Sequence, residues 1–178
     1  MNWIRPFTFI RLVPTMNRQL VMKKDETHLP ISPHPGAYGV RRKHHTHEGV
    51  DLYAPVGTGV HPVEGGVVVA IIPFTGPSAV PPSAWWNDTQ AVLIEGPSGV
   101  VVYGEVRPKE LLKVGETVKT GDIIGYVEQV LKVDKGFPMS MLHLELHKHG
   151  TRDCFEWIDE KPESLKDPTE YLLRARNG

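Results

Sequence analysis

The chain has 178 residues, 40% of them hydrophobic, with 20 Lys and Arg against 21 Asp and Glu and a single cysteine. That length supports one domain with a real core and is short for two, and the balanced charge supplies no global field toward nucleic acid or a membrane surface. The lone Cys154 excludes an internal disulfide framework and a thiolate metal cluster, so any bound metal must be held by histidine and carboxylate.

At the N-terminus Trp3, Ile4, Phe7, Phe9 and Ile10 are interrupted by Arg5, Pro6 and Arg11, which breaks the apolar run of a secretory signal. No stretch reaches the ~18 apolar residues of a membrane-spanning helix. The acid-free, Arg-bearing opening has the character of an organelle-type presequence or an amphipathic anchor; the plainer expectation is an extension over residues 1–35 that precedes the domain. From residue 51 to 146 the sequence alternates short Val/Ile-rich runs with Gly and Pro, and predicts strands over 67–72, 91–94, 100–103, 123–127 and 141–146. The 16 prolines and 17 glycines suit many tight connections and argue against long helices. Residues 114–125 place glycines where a sheet must turn sharply, as at the corner of a folded-over β-sandwich. The stretch 73–90, with Trp85 and Trp86, is too long for an ordinary hairpin loop. After residue 150 comes a tail in which Asp167 caps a short helix, with Pro168 at its first helical position and Tyr171, Leu172 and Leu173 as its apolar contacts. The fold expected is all-β, an antiparallel folded-over sandwich over residues 36–150 with a short helix in the tail, 151–178.

His47, Asp51 and His143 are the candidate metal ligands. Along an extended strand His47 and Asp51 would lie ~13 Å apart, whereas zinc holds its ligand atoms at ~2.0–2.2 Å, so the chain must bend between them. Gly49 supplies that freedom if it takes a positive φ; the following Leu52-Tyr53-Ala54-Pro55 disfavours a helix. In 141–146 alternation sends Leu142, Leu144 and Leu146 to the core and Met141, His143 and Glu145 to the other face, with Glu145 placed to orient a ligand and His147 and His149 continuing that face. With nine histidines in the chain, a surface hydrogen-bonded His/Asp pair is the plain alternative.

The run His47-Glu48-Gly49-Val50-Asp51-Leu52-Tyr53-Ala54-Pro55-Val56-Gly57-Thr58 resembles the first metal motif of the lysostaphin-type zinc endopeptidases, HxGxD followed by an apolar strand and A-P-x-G-T. Tyr38-Gly39-Val40-Arg41-Arg42 is similar to the family's entry strand, the run from Gly65 to Ala70 to its next G-x-V strand, the segment from Val114 to Gly125 to its corner, and Leu142-His143-Leu144-Glu145-Leu146 to its H-L-H-F-E strand. The resemblance therefore spans roughly residues 36 to 148. It implies one zinc ion on His47, Asp51 and His143, with water in the fourth position attacking a peptide carbonyl, and a cell-wall metallopeptidase that hydrolyses peptidoglycan cross-links. The family also uses two histidines that are not ligands. Met141 stands at one of these positions, and Tyr103-Gly104-Glu105-Val106 puts Glu105 at the other. Methionine transfers no proton, and losing one acid/base group commonly costs ~10²–10⁴ in rate. Glu105 is the candidate general base, against the alternative of an exposed strand glutamate.

Two further readings follow. One is a non-hydrolytic descendant that keeps zinc and groove to bind a peptide or glycan or to scaffold a partner. The other is a biotinyl or lipoyl carrier, for which Asp134-Lys135 imitates an attachment site. The groove residues expected are Arg41, from the basic stretch Arg41-Arg42-Lys43-His44-His45, together with Trp85, Trp86 and Tyr103. The two tryptophans have the alternative role of a plug tethering their loop. No nucleic acid partner is expected. Lacking an ordinary signal, a cell-wall enzyme would reach its substrate as part of a phage virion, by release at lysis or through a secretion machine.

Overall fold

Gly99-Val100-Val101-Val102-Tyr103 offers no polar face, so a strand built from it must be covered on both sides. In the computed structural model, which describes residues 10–11, 29–134, 136 and 138–177, this run opens the central strand. The elements in chain order are β1 (Ile10–Arg11), β2 (Val50–Tyr53), β3 (Gly59–Val60), β4 (Gly66–Thr75), β5 (Thr89–Gly96), β6 (Gly99–Pro108), β7 (Thr117–Val118), β8 (Gly125–Val127), β9 (Met141–His147), β10 (Leu165–Lys166) and α1 (Thr169–Asn177). Along β6, Val101 and Tyr103 turn to a large core cluster, while Val100 and Val102 join Ala91 and Leu93 in a smaller one on the opposite face.

Every strand pair in the sheet is antiparallel. One edge of β6 runs along β5, beyond which lie β4 and β7. Its other edge is divided: residues 100–104 pair with β9, and Val106 to Pro108 pair with β8. The sheet therefore forks at Glu105, one branch continuing from β9 to β2 and β10 and the other from β8 to β3 and β1. Residues of β2 to β9 and of α1 all meet in the large cluster, among them Leu52, Val60, Val68, Val118, Leu144 and Leu172. A flat sheet could not bring so many strands onto one inner face, so the sheet folds over itself, and the all-β sandwich with a short C-terminal helix is the fold found.

The corner at 114–125 contains β7 and turns on Gly115, whose φ is +90°. At its end Gly125 meets β6 so closely that an added Cβ would lie 2.8 Å from the Arg107 carbonyl oxygen. The long loop is shorter than the sequence suggests, because β4 runs on to Thr75 and β5 starts at Thr89. Pro73 is accommodated inside β4 next to a register shift, and the Thr75 and Thr89 hydroxyls close the loop base at 2.7 Å. In the tail, the Thr169 N–H donates to Asp167 Oδ1 at 2.8 Å and the Leu172 N–H to the Pro168 carbonyl at 2.9 Å, which starts the helix as the capping residues require. Leu29, assigned on sequence to the N-terminal extension, is also buried in the large cluster. The opening apolar segment apart from residues 10 and 11 lies outside the described residues.

Leu172 is the helix residue that closes the core. Truncation to Ala removes a fully buried side chain and is expected to cost about 2–5 kcal/mol, read as a lowered urea midpoint; an unchanged midpoint would show that α1 is not docked.

Candidate metal centre and catalytic cleft

The register of β2 on β9 sets Asp51 directly opposite His143. His47 enters from the preceding loop, its backbone held by Val40 O at 2.9 Å and by the Gly39 N–H. The result is three ligand-type atoms facing one another: His47 Nε2 lies 3.0 Å from Asp51 Oδ1 and 3.2 Å from His143 Nδ1, and the last two are 2.9 Å apart. All three residues are buried. Gly49 permits this in a different way from that expected. Its φ is not positive; what matters is its missing side chain, since a Cβ there would collide with the Leu144 carbonyl and come within 2.8 Å of His143 Nε2.

The remaining nitrogen of each imidazole decides what the cluster can hold. His47 Nδ1 is 2.8 Å from the Ala37 carbonyl, an oxygen that only accepts, so Nδ1 carries the proton and Nε2 presents a lone pair. His143 Nε2 is 3.0 Å from Glu145 Oε1, and the other oxygen of Glu145 lies 2.6 Å from His147 Nε2. Burial opposes ionisation of Glu145, but the hydrogen bonds from His143 and His147 outweigh it and bring its pKa down to about 2. The carboxylate therefore fixes the proton on His143 Nε2, and Nδ1 presents a second lone pair. His147 is anchored in turn by Ser164 Oγ at 3.0 Å, beside β10.

Two imidazole lone pairs and a carboxylate oxygen thus converge with no donor among them. Ligands ~2.0–2.1 Å from a tetrahedral ion stand ~3.3 Å from each other, close to the separations observed, so the donor set fits a zinc-like divalent cation. Without one, a proton must take its place. Burial disfavours a charged His143, yet Asp51 and Glu145 override it and hold that imidazole well above its ordinary pKa. Asp51 is buried too, which opposes its ionisation, yet the close approach of the His143 and His47 imidazoles outweighs this and keeps it well below the usual carboxylate range. Its second oxygen forms an ion pair with Arg42 Nη2, which also donates to the Pro35 carbonyl at 3.0 Å.

Glu105 reaches the same cleft through a bulge. Between the pairs Gln90–Val106 and Val92–Tyr103, the two residues Gly104 and Glu105 oppose Ala91 alone, and Glu105 takes a φ of +63°, a region few non-glycine residues adopt. Simple alternation would have turned this glutamate into the large core with Val101 and Tyr103. The bulge turns it instead into the cleft beside His143. Gly104, opposite His143 in the β6–β9 register, leaves room for Phe74, whose ring lies 5.4 Å from that of His143. Glu105 is only 9% exposed, and its Oε2 has no hydrogen-bond partner among the described residues. Burial, with the nearby charge of Asp51, pushes its pKa up to about 8. The alternative of an exposed strand glutamate is overturned.

The cleft has a volume of ≈ 350 Å³, and Arg42, Glu105, His143 and Glu145 are among the residues lining it, between the 76–83 loop with Trp86 and the segment Asp153 to Glu156. Several expected groove residues are placed elsewhere. Tyr103 is 0% exposed and accepts a hydrogen bond from the Val63 N–H at 2.8 Å; it shares the core-facing parity of Val101, so it is not a substrate contact. Arg41 is bridged to Thr46 and donates to the Ile158 carbonyl at 2.8 Å, which commits it to tying the tail to the metal loop. Its neighbour Arg42, turned the other way, lines the cleft, and the sequence does not separate the two. Trp85 is 81% exposed, no plug, and does not line the cleft as Trp86 does. Met141 shares the face of His143 but is not among the lining residues. Lys135, on which the carrier reading rests, lies outside the described residues.

Residues 45–153 match the family model described as peptidase family M23, more than half of the chain, and the protein belongs to that family. No curated protein matches the sequence. Among solved structures, cbpa from L. salivarius REN is similar with a TM-score of 0.53 and 20% identity over 80% of this chain and 86% of that one. LytU follows at 0.51 and 21%, over 78% and 81%. The catalytic domain of the prophage-encoded M23 protein EnpA from Enterococcus faecalis, in a mutant form, gives 0.50 and 23% over 74% and 85%. At these identities the likeness is one of fold.

Two outcomes follow for the purified protein. Zinc added to chelator-treated protein should raise Tm by mass action, and His47→Ala or His143→Ala should abolish that rise; an equal rise in both variants would place the ion elsewhere. In metal-free protein the raised pKa of Glu105 means that its protonated form is favoured by folding, so stability is fully present below the ordinary value of 4.5 and is lost as pH rises through about 8. Glu105→Gln should match wild type near the lower limit and exceed it increasingly toward the upper, at about 1.4 kcal/mol per pKa unit retained. Parallel calorimetric pH profiles would show that Glu105 is not desolvated.

Proposed function

We propose that this protein is a zinc-dependent endopeptidase acting on peptide cross-links of the bacterial cell wall. The observation that carries the reading is the meeting of three inward lone pairs, on His47, Asp51 and His143, the last of which lines a cleft together with buried Glu105, whose Oε2 has no partner among the described residues. Membership of a peptidase family supports it. A bound zinc ion would polarise the scissile carbonyl and acidify water at the site.

The chain's own residues do the rest. Ala37 and Glu145 hold the two imidazoles in the tautomers that leave the metal-facing nitrogens bare. Glu105, as carboxylate, takes a proton from the attacking water as its oxygen bonds to the peptide carbon. It returns that proton to the leaving nitrogen as the C–N bond breaks, so one water is consumed and a carboxylate and an amine are released. Burial raises the pKa of Glu105 above the usual carboxylate range, which makes it a stronger base for this exchange. Phe74, packed on His143, lowers the local polarity and strengthens the electrostatic interactions there.

The substitution of Met141 and Glu105 for two expected histidines favours a second reading, in which the cleft binds a wall peptide or glycan without cleaving it. The experiment is clearance of purified cell walls by zinc-loaded protein. Wild type should clear the suspension, Glu105→Gln should bind zinc normally and lose ~10²–10⁴ in rate, and His143→Ala should lose both zinc and activity. Unchanged turbidity with wild type, together with co-sedimentation on the walls, would leave only the binding reading.

A further inference from the structure

Addition of water to a peptide carbonyl places a full negative charge on the former carbonyl oxygen until the C–N bond breaks, and groups aimed at that charge are worth most in a cleft partly closed to water. The cleft has few permanent cations for this: His44 and His45 line it, but burial lowers the pKa of His45. Glu48, Glu105, Glu145, Asp153 and Glu156 all line it, and Met141 offers no donor. Among the described lining residues Arg42 is the single arginine or lysine.

Arg42 is also held in an unusual way. Its Nη2 alone serves both Asp51 Oδ2 and the Pro35 carbonyl, whereas arginine–carboxylate pairs frequently engage two parallel N–H groups. The N–H groups on Nε and Nη1 have no hydrogen-bond partner among the described residues, and the side chain is one-third exposed. The backbone fixes its direction, because the Arg42 N–H closes a turn onto His45 O at 2.8 Å and the Arg41–Thr46 bridge sends the neighbouring arginine the opposite way. The result is a permanent cation on a residue that lines the cleft, tethered at one corner to a metal-facing carboxylate and with donors left over.

We propose that Arg42 is a catalytic residue that donates from its free guanidinium edge to the oxyanion formed when water adds to the peptide carbonyl, supplying the electrophilic assistance that Met141 cannot. This rests on the peptidase reading above. The guanidinium neither gains nor loses a proton; it compensates the charge on the oxygen while Glu105 carries the proton from water to the leaving nitrogen.

The test uses the full chain with saturating zinc and a soluble cross-linked wall peptide. Arg42→Ala and Arg42→Gln should lower kcat by ~10²–10³ with KM changed by less than ~3-fold, and millimolar guanidinium should recover part of the loss in the alanine variant. Arg42→Lys, which keeps the charge but offers a point donor, should lie between and carries the test if the shorter variants do not fold. An unchanged kcat, an effect on KM alone, or full recovery on raising zinc would overturn the proposal, the last by showing that Arg42 only orients Asp51.

A second readout needs no turnover. A phosphinate analogue of the cleaved bond, tetrahedral and anionic, should bind wild type and bind Arg42→Gln at least ~30-fold more weakly, while an uncleavable N-methylated peptide should lose less than ~3-fold. Phosphinate bound equally by both proteins would overturn the role of Arg42 and leave the peptidase reading standing. A wild type that neither cleaves the peptide nor binds the phosphinate would remove the peptidase reading, and this role with it.

Discussion

Each imidazole at the centre of this protein has one nitrogen committed outward, His47 to a backbone carbonyl and His143 to a buried carboxylate, and that commitment leaves the other nitrogen of the neutral ring an acceptor. With Asp51 between them, three lone pairs are forced onto one point. A folded interior does not tolerate this without positive charge, and the rest of the site follows from it. Glu145 must be ionised, so it is bracketed by two histidines; Asp51 must share its charge, so its far oxygen is paired with Arg42.

The sheet supplies the precision. β6 serves three neighbours, and the point where one partner hands over to the next is the point where its spacing is broken by a bulge. A residue at such a junction is freed from strict alternation, which is how a glutamate of core-facing parity reaches the cleft. Its Oε2 finds no partner among the described residues, and the cleft wall there includes the apolar ring of Phe74.

Much of this was legible in the sequence. The leucines at 142, 144 and 146 announced the buried face of β9 and therefore the direction of His143, because strand alternation is a strong constraint wherever one face is apolar. The capped helix was readable from Asp167 and Pro168. What escaped was whatever depends on breaking a period or on distant backbone. Tyr103 and Glu105 are two apart and look alike in direction; only the bulge separates them, and its one marker in the sequence is the isolated Gly104. Arg41 and Arg42 were indistinguishable within a basic run, since their opposite directions come from a bridge to Thr46 and a carbonyl at Ile158. Gly49 was correctly singled out for the wrong property, its torsional freedom rather than its lack of bulk against Leu144.

The pairing of Asp51 with His143 across two short strands ties cation capture to strand alignment. A slip of one position would swing every side chain of β2 to the reverse surface, burying Asp51 among leucines and exposing Val50 and Leu52. Assembling the ion cage and seating the hydrophobic interior are consequently a single event, and a divalent ion would act as a proofreader, stabilising only molecules whose strands have met in the right phase.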